Sequence, residues 1–383
     1  MRKITSLFFL LHISIYANSI VDDIDIEFVG ILHNEMEQIM PKNKTDYKSK
    51  DSNSFTSLYS ELVLNYDYSE NIFLSLGTKV NKVIGEDNYN TPLYLQTKQT
   101  SDEINKAILS EVSLNYDNNF WALSLGRQDV NYDWLLGSVD GALLMMGHDK
   151  DYSLRLFWFE NYRYLQYNYY TEVKDINSQR GMYGAIAKVN FKDVEFSYFD
   201  YFIQDIRNIM GGHFSYMHKN YGLHLSYSSA KALSLAAYDY DEEFLNSSIE
   251  FLIRKHYFEL GFSKTGKNGL LAMIQMGNFM FGEFYLSNQV DRENAKNVFL
   301  KYIYADKKWR FEFISGTTNY DNSFFEIQNN MKAYEIDTYI KYTYSKNVSF
   351  DLGLMYMNVN ERDPLQVDQS LVMFNMVVSY ENY

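Results

Sequence analysis

Polar and apolar residues alternate along most of this chain, in short stretches that repeat. Residues 60–67 read Ser-Glu-Leu-Val-Leu-Asn-Tyr-Asp, and residues 110–117 read Ser-Glu-Val-Ser-Leu-Asn-Tyr-Asp. After a few Asn-containing residues, each stretch is followed by a second alternating run that ends in Leu-Gly, at 72–77 and 120–126. Because successive side chains of a strand point to opposite faces, the pattern predicts antiparallel hairpins with tight turns.

The alternation continues to the C-terminus, and short turns alternate with long polar connections. The long connections are expected at 85–106, 161–180, 230–243, 316–332 and 358–368. Such asymmetry predicts an all-β fold, a transmembrane antiparallel β-barrel of about 18 strands (about 16 to 20 allowed) with long extracellular loops and short periplasmic turns. A strand at 24–32 is expected to close the barrel against 369–380, and a further hairpin is expected at 270–287.

The N-terminus predicts export. Residues 1–19 have a basic start, a short apolar run and small residues near Ala17 and Ser19, the three parts of a cleaved secretory signal peptide. The apolar run is too short to span a bilayer. The mature chain, 20–383, is therefore expected to form a single barrel domain in the outer membrane of a Gram-negative bacterium.

Composition narrows the possible functions. The chain has no Cys, which excludes disulfides and thiolate metal sites. Its 35 Tyr and 27 Phe residues can supply aromatic girdles at the two membrane interfaces. A net charge of -14 argues against nucleic acid as a partner. No nucleophile elbow, P-loop or zinc-protease sequence occurs, so we expect no enzyme activity, no cofactor and no metal.

The same alternation assigns charged side chains to the lumen. Trp309 and Phe311 are expected to face lipid, which turns the intervening charged residues inward. A lumen lined with charge must hold water, and the expected inner wall has more acidic than basic groups, which predicts a weak preference for cations. The residues expected to line and tune the pore are Arg127, Arg155, Glu250, Arg254, Glu259, Arg310, Glu312, Asp337, Lys341 and Asp351.

Arg127 breaks the alternation, because parity with Leu123 and Leu125 would point it at lipid. We expect a bulge at Gly126 to turn it inward. His213 and His224 are expected to face the lumen from adjacent strands. Two scattered histidines are more typical of a barrel wall than of a metal site.

One segment resembles a known family. Residues 125–128, Leu-Gly-Arg-Gln, followed by Trp134, Gly137 and the Asp-Gly-Ala of 140–142, resemble the early Gly-Arg-Gln region of Opr-type outer-membrane porins and the related alginate-export barrels. Residues 339–349 resemble the penultimate hairpin of such porins. The resemblance implies an 18-stranded barrel, an inward-folded loop that constricts the pore, and diffusion of small hydrophilic solutes. The expected inner wall lacks the dense Arg clustering of an alginate channel, which argues against polyanion export.

The sequence therefore predicts an outer-membrane porin that lets small hydrophilic solutes or ions diffuse passively through a water-filled, charge-lined pore. One alternative is a solute-specific outer-membrane channel. Alternatives of a different class are a surface adhesin and a membrane-embedded hydrolase. The expected partners are small solutes or ions and outer-membrane lipid, and both a monomer and a homotrimer are compatible with the sequence.

Overall fold

A computed structural model describes most of the chain and contains nineteen strands in one sheet. The described residues are 24–40, 52–87, 101–147, 151–166, 169–178, 180–234, 241–270, 289–322, 328–359 and 368–381. The elements are α1 (Ser101–Ile104), β1 (Ile24–Met40), β2 (Ser52–Ser69), β3 (Ile72–Asp87), β4 (Ala107–Asp117), β5 (Trp121–Tyr132), β6 (Leu135–Met146), β7 (Tyr152–Leu165), β8 (Tyr170–Val173), β9 (Met182–Phe191), β10 (Val194–Ile203), β11 (Arg207–His218), β12 (Tyr221–Ala232), β13 (Glu242–Ile253), β14 (His256–Thr265), β15 (Glu293–Ala305), β16 (Trp309–Asn322), β17 (Gln328–Ser345), β18 (Val348–Val359) and β19 (Asp368–Glu381).

The sheet closes on itself. Strand β1 pairs antiparallel with β19, with Ile31 opposite Val377 and Leu32 opposite Met376. The short strand β8 pairs only with the end of β7, and β7 continues the wall by pairing with β9. Leaving out β8, the described residues form a closed antiparallel barrel of eighteen strands. The predicted fold and the predicted closure by the two terminal strands are both confirmed.

At the end of the barrel where β1 begins and β19 ends, all the connections between neighbouring strands are short turns. Lys192, Lys219 and Arg254 open three of these turns with φ of 53°, 51° and 57°, the left-handed region that a reversal of direction needs. Arg254 therefore lies in the turn between β13 and β14, and its prediction as a wall residue of the lumen is wrong. Another turn, after β15, is stabilised because the Asp306 carboxylate accepts hydrogen bonds from the backbone N–H of Lys308 and Trp309, each 2.8 Å long. These bonds lower the pKa of Asp306.

The longer connections lie at the opposite end, with two differences from the prediction. Strand β16 runs to Asn322 and β17 begins at Gln328, so most of the connection predicted at 316–332 is strand. The hairpin predicted at 270–287 lies outside the described residues except for Leu270. On either side of that segment, strands β14 and β15 pair directly with each other.

The outer face of the barrel is apolar. On β12, the outward side chains of Leu223, Leu225 and Tyr227 are exposed, and Leu260 on β14 and Leu300 on β15 are exposed beside each other. A continuous apolar outer surface would aggregate in water and fits a lipid environment. Within the described part of the chain, no helix is long and apolar enough to cross a membrane.

Candidate functional site: a constriction inside the barrel

The hairpin of β5 and β6 leaves the barrel wall at two glycines. The pairing of β4 with β5 ends at Val112 opposite Arg127, whereas β5 and β6 stay paired up to the Asp133-Trp134 turn. Gly126 has φ of 114°, and a Cβ on it would lie 2.3 Å from the Val112 carbonyl oxygen. Only glycine fits such a position. We call residues 127–140 the constriction hairpin.

The tip of the constriction hairpin contacts the far side of the barrel. Asp133 Oδ2 and His213 Nε2 on β11 form a hydrogen bond of 2.9 Å. The Trp134 ring packs edge-on against Phe244 on β13, with centroids 6.0 Å apart. Five wall strands, β7 and β9 to β12, separate β6 from β13 along the sheet. The hairpin therefore crosses the lumen, as the resemblance to Opr-type porins implied for one loop.

One face of the constriction hairpin is apolar and packs on the inner wall. Trp134, Leu135 and Val139 are fully buried, and each such side chain contributes roughly 1.5–3 kcal/mol of burial free energy. Their cluster includes inward-facing residues from β6 to β13. Those wall residues include Leu143, Phe157, Phe159, Met182, Ile186, Phe199, Tyr201, Ile209, Ala230 and Phe244. This packing fixes the hairpin against one side of the barrel and fills that part of the lumen.

An ion-pair network holds the base of the constriction hairpin. Asp140 accepts a hydrogen bond from Arg127 Nε at 2.6 Å and one from Arg163 Nη2 at 3.2 Å. Asn161 Nδ2 donates to the same carboxylate at 3.1 Å. Charge-assisted bonds of this kind are directional and comparatively strong. Arg127 thus has a structural role, because it joins the two strands of the hairpin at its base, and Arg163 joins the same carboxylate to β7.

The other face of the constriction hairpin is polar and acidic. Asp129 forms an ion pair with Lys79 on β3, and Lys79 Nζ also lies 3.5 Å from Glu61 on β2. Glu111 on β4 lies opposite Gly77, on the same inner face of the neighbouring strand. The side chains of Glu61 and Asp129 are 28% and 26% exposed, so water reaches them. We call Glu61, Lys79, Glu111 and Asp129 the acidic cluster, since three carboxylates share one ammonium group.

Two of the predicted pore residues form a buried carboxylate pair on the opposite wall. Glu250 and Glu259 are cross-strand neighbours on β13 and β14. The Tyr257 hydroxyl lies 2.7 Å from the first carboxylate and 2.8 Å from the second. His224 Nε2 lies 3.2 Å from Glu250, and Lys301 is the cross-strand neighbour of Glu259. These groups are partnered within the wall.

The remaining predicted pore residues continue from this carboxylate pair along β15 to β18. Lys301, the cross-strand neighbour of Glu259, lies 3.3 Å from Glu312, and Glu312 lies 2.8 Å from Arg310. Arg310 lies opposite Lys341, which lies opposite Asp351 at 4.0 Å, nearer the short-turn end. The structure therefore places six of the predicted residues, together with Lys301, in one row of charges on this wall.

Two further predicted residues differ in their surroundings. Arg155 lies over the ring of Tyr132, which belongs to the constriction hairpin, at 5.9 Å from its centroid. Asp337 is fully buried. Of the predicted set, Arg127 belongs to the hairpin and Arg155 contacts it.

Sequence reasoning did not single out the residues that the constriction brings together. Asp129, Asp133, Asp140 and Arg163 were not among the predicted pore residues, because alternation counted from Leu125 points the first of them at lipid. The available signal was the pair of glycines at 126 and 141, which lie opposite each other where the hairpin leaves the wall. In the part of the chain that the structure describes, no group of three or more His, Asp or Glu side chains is arranged to hold a metal ion.

Comparison with known proteins places the fold. No family model and no curated protein matches the sequence. Among solved structures, OpdK of Pseudomonas aeruginosa, determined with vanillate, is 11% identical with a TM-score of 0.72, and the match covers 94% of this chain and 100% of that one. OccK9 (OpdG) of the same species is 12% identical, with a TM-score of 0.73 and coverage of 94% and 99%. OccAB4 of Acinetobacter baumannii is 12% identical, with a TM-score of 0.70 and coverage of 94% and 98%. At these identities the likeness shows a shared fold.

Proposed function

We propose that this chain is a bacterial outer-membrane channel that selects small solutes at the constriction hairpin and has no enzymatic role. The observation that carries the proposal is the hairpin that crosses the lumen from β3 to β13. A lumen narrowed by a packed hairpin restricts what passes by shape and charge. The alternative of a solute-specific channel is therefore better supported than the main expectation from the sequence, a porin for passive diffusion of small hydrophilic solutes or ions.

Shared architecture supports the placement in the outer membrane. OpdK is described as an outer membrane protein, and its structure with vanillate shows that a barrel of this fold can hold a small organic solute. The connections are short turns at the end where β1 begins and β19 ends, as at the periplasmic end of such barrels. The exposed apolar face supplies the lipid-contacting surface.

We further propose that the constriction favours cations. The acidic cluster places three carboxylates against one ammonium group beside the constriction hairpin. Partial exposure lets mobile ions approach, and wall charge raises the local concentration of counter-ions. The sequence predicted a weak cation preference from the inner wall as a whole, and this proposal assigns that preference to the acidic cluster.

Neutralising the acidic cluster should reduce cation selectivity. In a Glu61→Gln/Glu111→Gln variant, the reversal potential in asymmetric KCl across a planar bilayer is expected to shift toward anions, because two wall charges are lost. The shift should be clear at low ionic strength and fade toward 1 M salt, as the screening length falls from about 10 Å at 0.1 M to about 3 Å. The matched control is Asp351→Asn, which removes a carboxylate far from the hairpin and should shift the potential less. Strong anion selectivity of the unaltered protein, or equal shifts in the two variants, would contradict the assignment.

Solute selectivity itself is tested with pairs of solutes of equal size. Liposome swelling should be faster with a small organic cation such as lysine than with a small anion such as glutamate, whereas a general porin would admit both at similar rates. Absence of any conductance or swelling would favour the adhesin or hydrolase alternative.

The N-terminal processing remains a prediction of the same proposal. Protein isolated from outer-membrane fractions should begin at Asn18 or Ile20, since cleavage is expected after Ala17 or Ser19. N-terminal sequencing of that fraction checks this. An intact Met1 in the outer membrane would contradict the export argument.

A further inference from the structure

Three lysines form a row on the outer surface at the end of the barrel with the long connections. Lys264 on β14 lies directly opposite Lys296 on β15. Lys296 lies opposite Asn319 on β16, which lies opposite Lys332 on β17. All four side chains are exposed. The four side chains therefore lie at the same height on four adjacent strands of the outer wall, and three of them are positively charged.

The row borders the apolar band. Val298 and Tyr334 lie two positions from Lys296 and Lys332 along the same strands, toward the middle of the barrel. Both face outward, and they are 49% and 41% exposed. One step further, Leu260 and Leu300 are exposed opposite each other. Lysines directly above lipid-facing residues lie at the level of lipid headgroups.

The charges of the row are not compensated within the described residues. No ion pair joins Lys264, Lys296 or Lys332 to another described residue, and like charges directly opposite each other in a sheet are destabilising. Carboxylates on this face of the neighbouring strands include Glu243, on the strand beside Lys264, and Asp321, two residues beyond Asn319. Asp321 already accepts hydrogen bonds of 2.9 Å from Asn294 Nδ2 and from the backbone N–H of Asn330.

We infer that this row binds the phosphate groups of a lipid headgroup in the outer leaflet. Adjacent strands are about 5 Å apart, so Lys264 and Lys296 can approach one phosphate together while Lys332 reaches a second. A diphosphorylated lipid fits this spacing better than one with a single charge. The row faces outward, so its charges do not line the pore. Such a basic row stands out in a chain whose net charge is -14. The inference uses only the proposed orientation, with the long connections outside, and is independent of solute selectivity.

Lipid binding is tested with the full-length, detergent-solubilised protein and native mass spectrometry. The probes are diphosphoryl lipid A, the same lipid with its phosphates removed, and inorganic phosphate. A Lys264→Gln/Lys296→Gln/Lys332→Gln variant should bind diphosphoryl lipid A about tenfold more weakly, because each lysine near an anionic lipid adds to affinity. The control variant Lys192→Gln/Lys219→Gln/Lys307→Gln removes three exposed lysines from turns at the other end and should bind like the unaltered protein.

The outcomes separate the sources of phosphate. Loss in the first variant alone, with weak binding of the dephosphorylated lipid, supports the inference. Equal binding by all three proteins, or equal binding of the two lipids, overturns it. Displacement of the lipid by inorganic phosphate at a similar concentration would also overturn it, since the lysines would then bind free phosphate as well as they bind the lipid. If the triple variant does not fold, the double variant Lys264→Gln/Lys296→Gln replaces it. Both variants should conduct like the unaltered protein, so a loss of lipid binding is distinguishable from a loss of channel function.

Discussion

Removal of the constriction hairpin tip is expected to open the channel. In a variant whose residues 129–138 are replaced by a short glycine-containing turn, single-channel conductance should rise severalfold and cation preference should fall. The physical reason is that the hairpin both fills part of the lumen and carries Asp129 and Asp133. Without it, ions pass through a wider, more hydrated cross-section. Planar-bilayer recording in symmetric and asymmetric KCl measures both effects.

A matched deletion separates pore widening from general disturbance. Removing residues 235–240, in the connection between β12 and β13, shortens another connection at the same end and should leave conductance nearly unchanged. Replacing the hairpin tip at 129–138 also uncovers apolar wall residues around Phe244. A milder variant, Asp133→Ala/Trp134→Ala, therefore provides a second measurement. It should show larger or noisier currents, since the tip loses its contacts with His213 and Phe244. Unchanged conductance in both variants would mean that the hairpin does not limit the pore.

Introducing a charge on the lipid face is expected to destabilise the barrel strongly. Leu260 is 54% exposed on the outer face of β14, near the middle of the strand. A Leu260→Arg variant should lose about 2–4 kcal/mol of the free energy of unfolding in lipid if this position is near the bilayer midplane. The same change at Phe311, outward on β16, should have a similar effect. Reversible unfolding in lipid vesicles measures these differences.

Neighbouring inward positions provide the comparison. Glu259→Gln, one residue from Leu260, should cost about 0.5–1.5 kcal/mol, because it weakens one hydrogen bond with the Tyr257 hydroxyl. Leu260→Ala controls for loss of the side chain and should cost less than the arginine, since alanine places no charge in lipid. If Leu260→Arg and Glu259→Gln cost the same, the assignment of lipid and lumen faces is wrong.

Much of the barrel could be predicted from the sequence, because the determinants are local. Alternation assigns each regular strand an inner and an outer face, and the lipid environment makes the outer face apolar. Phe311 and Glu312 on β16, or Leu260 and Glu259 on β14, therefore lie on the faces that parity predicts. Closure by the terminal strands also follows, since an unpaired edge cannot persist in lipid.

The constriction depended on tertiary structure. Alternation counted from Leu125 sends Asp129 to lipid, but the backbone at Gly126 has a positive φ and the hairpin leaves the wall directly after it. The partners that fix its tip, Asp133 with His213 and Trp134 with Phe244, are 80 and 110 residues apart in sequence. Only the closed curvature of the barrel brings such residues within contact distance. Local pattern thus determined which side chains meet lipid, whereas the contacts across the lumen, and with them the candidate site, were decided by how the strands close around it.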